Sequence, residues 1–150
     1  MNIAFFLTPK NQVAYLYDDY TVNQCLRKMR GIGFSATPVI TREGRYAGIV
    51  SEGDLLWYLV EDGVTKTYTS DVTDIRLRDI IGQNKIPPVR ITAAVEELFD
   101  RAMNQNFVPV VDDNDSFVGI ITRKDIIRYF CNMSGMLKDS GNSGDVSNGI

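Results

Sequence analysis

The chain has 150 residues, a formal charge of −3 at neutral pH, two cysteines (Cys25 and Cys131) and no histidine. Without histidine, a zinc site or a Ser–His or Cys–His nucleophile cannot be assembled from these residues, so we expect no enzyme. The basic residues are dispersed, which argues against bulk binding of DNA or RNA, and no apolar run approaches the roughly 18–20 residues that span a membrane.

The first predicted unit occupies residues 1–63. It opens on the apolar lead-in "IAFFL", which has no basic start and no cleavage site, so we expect no signal peptide and a cytoplasmic protein with reduced thiols. A short strand is predicted at Val13–Leu16, and two β-branched runs around the turn "REG" predict a β-hairpin. Two helices are predicted from apolar spacing, one with Val22, Cys25, Leu26 and Met29 and the other with Leu55, Leu56 and Leu59.

Residues 64–81 are predicted to connect two units, with a polar loop at Asp62–Thr73 and a helical lead-in, "DIRLRDII". The second unit, residues 82–133, has the same order: a strand at Pro88–Ile91, a helix, a hairpin around "DNDS" and a final helix. The apolar stripes of its helices are Val95, Leu98, Phe99 and Ala102, then Ile126, Ile127 and Phe130. Residues 134–150 are rich in Gly, Ser and Asn, which predicts a disordered polar tail.

The two units are copies of one another. At an offset of 71 residues, six identities lie between Pro38 and Leu59: Pro38/Pro109, Val39/Val110, Gly48/Gly119, Ile49/Ile120, Asp54/Asp125 and Tyr58/Tyr129. Internal duplication explains this match. The sequence therefore predicts an α+β protein in which a strand-helix-strand-strand-helix unit is used twice.

Each copy ends its hairpin on a hydroxyl followed three residues later by an aspartate, Ser51 with Asp54 and Thr122 with Asp125. One interpretation is a helix capping box, although Glu or Gln is the usual third residue. The other is a ligand site, because a helix N-terminus suits a phosphate and a carboxylate one turn inward can accept both hydroxyls of a ribose. On the residues alone the two interpretations have equal weight.

The motifs "ATPVI…YAGIVSEGDLL" and "FVPVV…FVGIITRKDII", with the helices before them, resemble the CBS domain, and the chain to about residue 133 resembles a tandem CBS pair, or Bateman module. This resemblance implies two repeats packed with pseudo-twofold symmetry. It also implies clefts that bind AMP, ADP, ATP or S-adenosylmethionine as a regulatory ligand, with no cofactor required. Because the sequence contains no attached enzyme or transporter domain, we expect a stand-alone module that signals to an unknown regulated partner protein.

The resemblance places each ligand between the copies, with the base in an apolar slot of one and the ribose on the aspartate of the other. The first implied site comprises Ala14, Phe34, Ser35, Ala36, Thr122, Arg123, Lys124 and Asp125. The second comprises Pro87, Asn106, Phe107, Ser51 and Asp54, with Glu52 and Gly53 between the last two. Arg123 and Lys124 would hold phosphates that Glu52 would repel, so the first site is expected to bind more tightly. The bland interpretation of both cations is a solvated helix start.

The single tryptophan, Trp57, falls off the apolar stripe of its helix. It either marks the interface of a homodimer, for which tryptophan is a favoured anchor, or packs under the Asp62–Thr73 connection. These observations lead to a regulatory module that senses an adenine nucleotide. The alternative is a structural or dimerisation module whose ligand sites are vestigial.

Overall fold

A computed structural model describes residues 2–33, 36–60, 75–81 and 86–134. The strands are β1 (Thr8–Pro9), β2 (Leu16–Tyr17), β3 (Ala36–Ile40), β4 (Tyr46–Ser51), β5 (Val89–Arg90), β6 (Phe107–Val111) and β7 (Phe117–Thr122). The α-helices are α1 (Val22–Ile32), α2 (Glu52–Tyr58), α3 (Leu77–Ile81), α4 (Val95–Ala102) and α5 (Arg123–Met133). Short 3₁₀ helices cover Ile3–Phe6 and Lys10–Gln12.

Each repeat contributes a parallel strand pair, a hairpin and two helices, as predicted. In the first repeat β2 pairs parallel with β3, and β3 pairs antiparallel with β4; in the second, β5, β6 and β7 pair in the same way. Both hairpins carry an irregularity at the same place, after Val39 and after Val110. The duplicated sequence thus produces a duplicated ladder, down to its bulge.

The tips of the two hairpins pair with each other across a pseudo-twofold axis. The N–H of Tyr46 donates to the carbonyl of Asp115 at 3.1 Å, and the N–H of Phe117 donates to the carbonyl of Gly44 at 2.9 Å. The two bonds are equivalent at the 71-residue offset, because Tyr46 corresponds to Phe117 and Gly44 corresponds to Asp115. This symmetry confirms the predicted fold class and packing.

Three apolar clusters hold the repeats together. Two lie between a sheet and its helices, around Leu16 and Leu55 in the first repeat and around Val89 and Leu98 in the second. The third joins the two repeats and consists of Ile40, Tyr46, Ile49, Val111 and Phe117. Strand alternation explains the division, because neighbouring residues of β3, Val39 and Ile40, point to opposite faces.

The two lead-in segments are exchanged between the repeats. Ile3 and Phe6, before the first repeat, pack in the core of the second, and β1 extends its sheet through β7. Leu77, Ile80 and Ile81 of α3, before the second repeat, pack in the core of the first. Each repeat therefore completes its core with the segment that precedes the other.

The final helices are more exposed than their apolar stripes predict. Leu55 and Ile126 are buried, but Leu56 is 62% exposed and Ile127 is 61% exposed. Successive residues of a helix lie about 100° apart, so Leu56 and Ile127 point about 100° away from the buried Leu55 and Ile126. Leu56 and Ile127 belong to the predicted apolar stripes but do not face the core, and both helices present apolar side chains to solvent.

Other predictions have mixed outcomes. Cys25 is buried, whereas Cys131 is only half-buried, and both thiols are free. The first short strand of each repeat begins one to three residues later than expected, at Leu16 and Val89. The Asp62–Thr73 connection and the tail beyond Ser134 lie outside the described residues. In the described part of the chain, no helix has the length and apolar character needed to cross a membrane.

Candidate functional site

A cavity of about 380 Å³ lies between the two sheets. Its volume is within the range of small-molecule sites, roughly 300–1,000 Å³. Its lining is mostly apolar, with a few polar side chains: Thr8, Gln12, Val13, Ala14, Ala36, Thr37, Pro38, Asn106, Phe107, Ile120 and Thr122. An apolar slot with a small number of polar groups suits a flat heterocycle better than a fully charged ligand.

The predicted site residues converge on this cavity, but in a different grouping. Ala14 and Ala36 of the first repeat meet Thr122 of the second, as the resemblance implies. Asn106 and Phe107, which were expected to form a second slot facing Ser51, line this same cavity. The reason is register: Phe107 pairs directly with Thr122 in the sheet, so the two residues share one edge.

Two residues implied for this slot, Phe34 and Ser35, lie outside the described residues. Of the remaining second set, Pro87 is exposed and its carbonyl accepts a hydrogen bond from Arg101. Ser51 and Asp54 lie at the start of α2 and are not among the residues that line the 380 Å³ cavity.

The motif of the first repeat forms a complete capping box. The Asp54 N–H donates to Ser51 Oγ at 3.0 Å, and the Ser51 N–H donates back to Asp54 Oδ2 at 2.9 Å. Both halves of the reciprocal arrangement are present, so the capping interpretation holds for this copy. One oxygen of Asp54 is thereby engaged in holding the helix start.

The motif of the second repeat is only half a capping box. The Asp125 N–H donates to Thr122 Oγ1 at 3.1 Å, but the Asp125 carboxylate accepts from the hydroxyl of Thr8 at 3.4 Å instead of from the helix start. Asp125 lines a second cavity of about 280 Å³ with Arg128 and Asn132, and Thr8 lines both cavities. The Asp125 carboxylate therefore lies just beyond one wall of the larger cavity, free of the capping task that Asp54 performs.

The two predicted phosphate ligands behave differently. The Arg123 guanidinium donates to the carbonyls of Ala102 and Met103 at the end of α4, at 2.6 and 3.1 Å, so it caps that helix rather than lining either cavity described above. Lys124 is exposed, and its side chain makes no hydrogen bond or ion pair with the described residues. In this structure Lys124 is the better placed of the two to meet an anion at the start of α5.

Several lining residues were not among the predicted ones. Ile120 could have been found, because it lies two residues before Thr122 on the same strand and therefore on the same face. Thr8 and Gln12 could not, because they belong to the exchanged lead-in, which reaches the second repeat only through tertiary packing. Thr37 borders the cavity, but strand alternation directs its side chain to the face of Val39, into the core of the first repeat.

Tyr46 is a buried residue of the apolar cluster against which the lining residues Ala36, Phe107 and Ile120 pack. It donates to the carbonyl of Ile86 at 2.6 Å, and burial raises the pKa of this phenol well above its usual value. Tyr46 thus joins the two repeats as a neutral donor at neutral pH. Among the described residues, no group of three His, Cys, Asp or Glu side chains could hold a metal ion.

Comparison with protein-family models identifies two segments of the chain, residues 7–61 and 74–132, each matched by the model described as "CBS domain". The chain belongs to the CBS domain family. Its two CBS repeats are the two halves described above, and the resemblance deduced from the duplicated motif is confirmed.

Solved and curated proteins resemble this chain over most of its length. The crystal structure of CbpB in complex with c-di-AMP superposes with a TM-score of 0.82 at 26% identity, over 93% of this chain and 91% of that chain. An uncharacterised protein of Methanopyrus kandleri is 28% identical over 104 residues, which cover 67% of this chain and 49% of the relative. The inosine-5'-monophosphate dehydrogenase of Methanocaldococcus jannaschii is 27% identical over 110 residues, 73% of this chain and 20% of the enzyme. The chain thus spans about half or less of these two curated relatives.

Proposed function

We propose that this tandem CBS module is a sensor that binds an adenine nucleotide between its repeats and passes the bound state to a partner protein. The base would lie in the 380 Å³ cavity, between Ala14 and Ala36 on one side and Phe107 on the other. The ribose hydroxyls would be accepted by Asp125, and Lys124 would face the phosphate. AMP, ADP, ATP and S-adenosylmethionine are the candidate ligands, and the c-di-AMP complex of CbpB adds a cyclic dinucleotide to them.

The observation that carries this proposal is the difference between the two aspartates. The Asp54 carboxylate accepts a hydrogen bond from the N–H at the start of its helix and so closes a capping box. The Asp125 carboxylate instead accepts a hydrogen bond from Thr8, at the cavity wall. A carboxylate that has given up a capping bond remains able to accept ligand hydroxyls. A hydrogen bond to a charged group contributes about 1.5–3 kcal/mol, which makes Asp125 the stronger ligand-binding aspartate.

The test is a calorimetric titration of AMP, ADP, ATP, c-di-AMP and S-adenosylmethionine into the full chain and two variants. We expect Asp125→Ala to weaken the bound nucleotide by roughly tenfold or more, and Asp54→Ala to leave its affinity within about twofold. Normal binding by Asp125→Ala together with loss of binding by Asp54→Ala would show that the wrong site was chosen.

A structural role without a ligand is the second candidate, and the exposed apolar residues of the final helices favour it. Leu56, Trp57 and Val60 on the α2 side are exposed, as are Ile127 and Met133 on α5. If none of the panel binds or raises the melting temperature, the ligand sites are vestigial and this second function replaces the first.

The same surface supports a homodimer in either case. The pseudo-twofold axis places the exposed α2 and α5 side chains at matching positions, so a second copy could cover both helices at once. Trp57, 65% exposed, would be a central anchor. We expect analytical ultracentrifugation to find a dimer that Trp57→Ala weakens by more than about 1 kcal/mol, while a monomer in the unsubstituted protein would end the idea.

A further inference from the structure

We infer that Arg123 is a positioning residue for the nucleotide cavity, acting through Asn106, and this inference rests on the proposed function. Asn106 lines the cavity, and two groups of Arg123 hold it. The Arg123 N–H donates to the Asn106 carbonyl at 3.1 Å, and Nη1 donates to Asn106 Oδ1 at 3.3 Å. Main chain and side chain of Asn106 are thus both tied to the first residue of α5.

The rest of the guanidinium is anchored away from the cavity. Nε donates to the Ala102 carbonyl at 2.6 Å, and Nη2 donates to the Met103 carbonyl at 3.1 Å. These carbonyls belong to the end of α4, where a cation is favoured by the helix dipole. With Nε and Nη2 both engaged at the end of α4, the guanidinium is a fixed support for the Asn106 amide, which Nη1 contacts.

This support determines which end of the amide a ligand meets. A guanidinium has only donors, so the atom of Asn106 that faces it must be the acceptor oxygen. The Nδ2 group, which carries two donors, therefore points away from Arg123. A ligand beside Asn106 is met by N–H groups and must offer an acceptor there, such as an unprotonated ring nitrogen of a purine.

The first repeat has no counterpart of this device. Glu52 stands at the position of Arg123, at an offset of 71 residues, and an acidic side chain can neither cap the carbonyl end of a helix nor hold an amide oxygen. The inference thus applies to one cavity only, and it gives Arg123 a role that differs from the phosphate contact expected from the sequence.

The experiment is a double-mutant cycle on the full chain, titrated with whichever adenine nucleotide the unsubstituted protein binds, at a temperature well below unfolding. We expect Arg123→Met to weaken binding about three- to tenfold, and Asn106→Ala by a similar factor. The double variant should bind no more weakly than Asn106→Ala, since Arg123 has nothing left to position. Arg123→Lys should not restore affinity, because a point charge cannot reproduce the planar fork.

The matched control is Arg27→Met, which removes the same charge from an exposed position of α1. A second readout needs no ligand: the side-chain amide resonances of Asn106, identified by their absence in Asn106→Ala, should shift and exchange faster with water in Arg123→Met. Unchanged affinity and an unchanged amide signal in Arg123→Met, or additive losses in the double variant, would reduce Arg123 to a helix cap. If the unsubstituted protein binds no adenine nucleotide, the proposed function fails and this inference fails with it, whereas failure of the cycle alone leaves the proposed function intact.

Discussion

The two CBS repeats have the same fold, yet the corresponding aspartates at the start of their final helices make different contacts. In the first repeat Asp54 bonds back to the N–H of Ser51; in the second, Asp125 bonds to Thr8 of the exchanged lead-in. The same hydroxyl-x-x-Asp motif therefore serves as a complete cap in one copy and as a partly released carboxylate in the other. The motif places an aspartate carboxylate at the start of the helix, and the segment packed beside it determines which hydrogen bond that carboxylate makes.

The exchanged lead-ins are the other lesson of the comparison. The N-terminal lead-in enters the second repeat as a strand, while the connecting lead-in enters the first as helix α3. The equivalent glycines contact these segments at different distances: Gly48 lies beside Ile81 of α3, and Gly119 lies much closer to Thr8 of β1. Because each core includes residues from the other half of the chain, we expect the repeats to unfold together.

The largest expected effect separates these two glycines. Both have φ near +156°, so alanine is strained at either position, at a cost of about 1–3 kcal/mol. At Gly119 an added Cβ would also collide with the Thr8 carbonyl and approach Leu7 Cδ1 to 2.9 Å, whereas at Gly48 its nearest neighbour is the Ile81 side chain at 3.5 Å. In urea denaturation we expect Gly119→Ala to lower the free energy of unfolding by roughly 3 kcal/mol or more, and Gly48→Ala by about 1–2 kcal/mol.

Equal losses for the two glycine variants would contradict the close packing of β1 on β7. A control for the strand itself is amide exchange of Ile120, which should quicken in Gly119→Ala and stay slow in Gly48→Ala. The reverse pattern would mean that the lead-ins are not exchanged as described.

The next effect comes from a buried hydroxyl present in only one repeat. Thr37 is 1% exposed and its Oγ1 has no hydrogen-bond partner, while the equivalent Val108 is fully buried. A buried unsatisfied polar group costs about 1–3 kcal/mol, so Thr37→Val should raise the free energy of unfolding by about 1 kcal/mol or more. Val108→Thr is the matched reverse change and should lower it by a similar amount. A destabilising Thr37→Val would mean that the hydroxyl has a function that outweighs its burial.

Sequence alone predicted the repeated unit, the two hairpins and the start of each final helix, because local periodicity and the paired motifs specify them. Through the family resemblance it also placed Ala14, Ala36 and Thr122 in one group, and all three line the 380 Å³ cavity. It could not predict the destination of the lead-ins, since "IAFFL" fits either core equally well. The sequence also could not predict that Arg123 caps the end of α4, because a solvated cation and a helix-capping cation look alike in a linear sequence.

A smaller effect tests the capping difference without a ligand. Because Asp54 closes its capping box, Asp54→Ala should lower the free energy of unfolding by about 0.5–2 kcal/mol. Asp125→Ala loses only the 3.4 Å bond from the Thr8 hydroxyl and should cost less than Asp54→Ala. Thermal denaturation of both variants beside the unsubstituted protein measures the difference. A larger loss for Asp125→Ala would show that its carboxylate is structural, which would weaken the case for a ribose contact.

The smallest effect concerns Cys25, which stands where the second repeat has the fully buried Leu98, at the 73-residue offset of the preceding helices. Burial raises the pKa of the Cys25 thiol from 9.0 to about 11, so between these values the unfolded chain releases a proton that the folded chain keeps. Because the pKa is raised in the folded state, the thiol's contribution to stability is complete below pH 9 and is lost as the pH rises toward 11.

Urea denaturation between pH 9 and pH 11 should therefore show a fall in unfolding free energy that is shallower in Cys25→Ala. Tyr46, whose pKa burial also raises, adds its own fall above pH 10, but it is common to both proteins and cancels in their difference. Cys131→Ala is the control for removal of a thiol from a helix. Identical slopes for Cys25→Ala and the unsubstituted protein would mean that the Cys25 thiol ionises in the folded repeat as readily as in the unfolded chain.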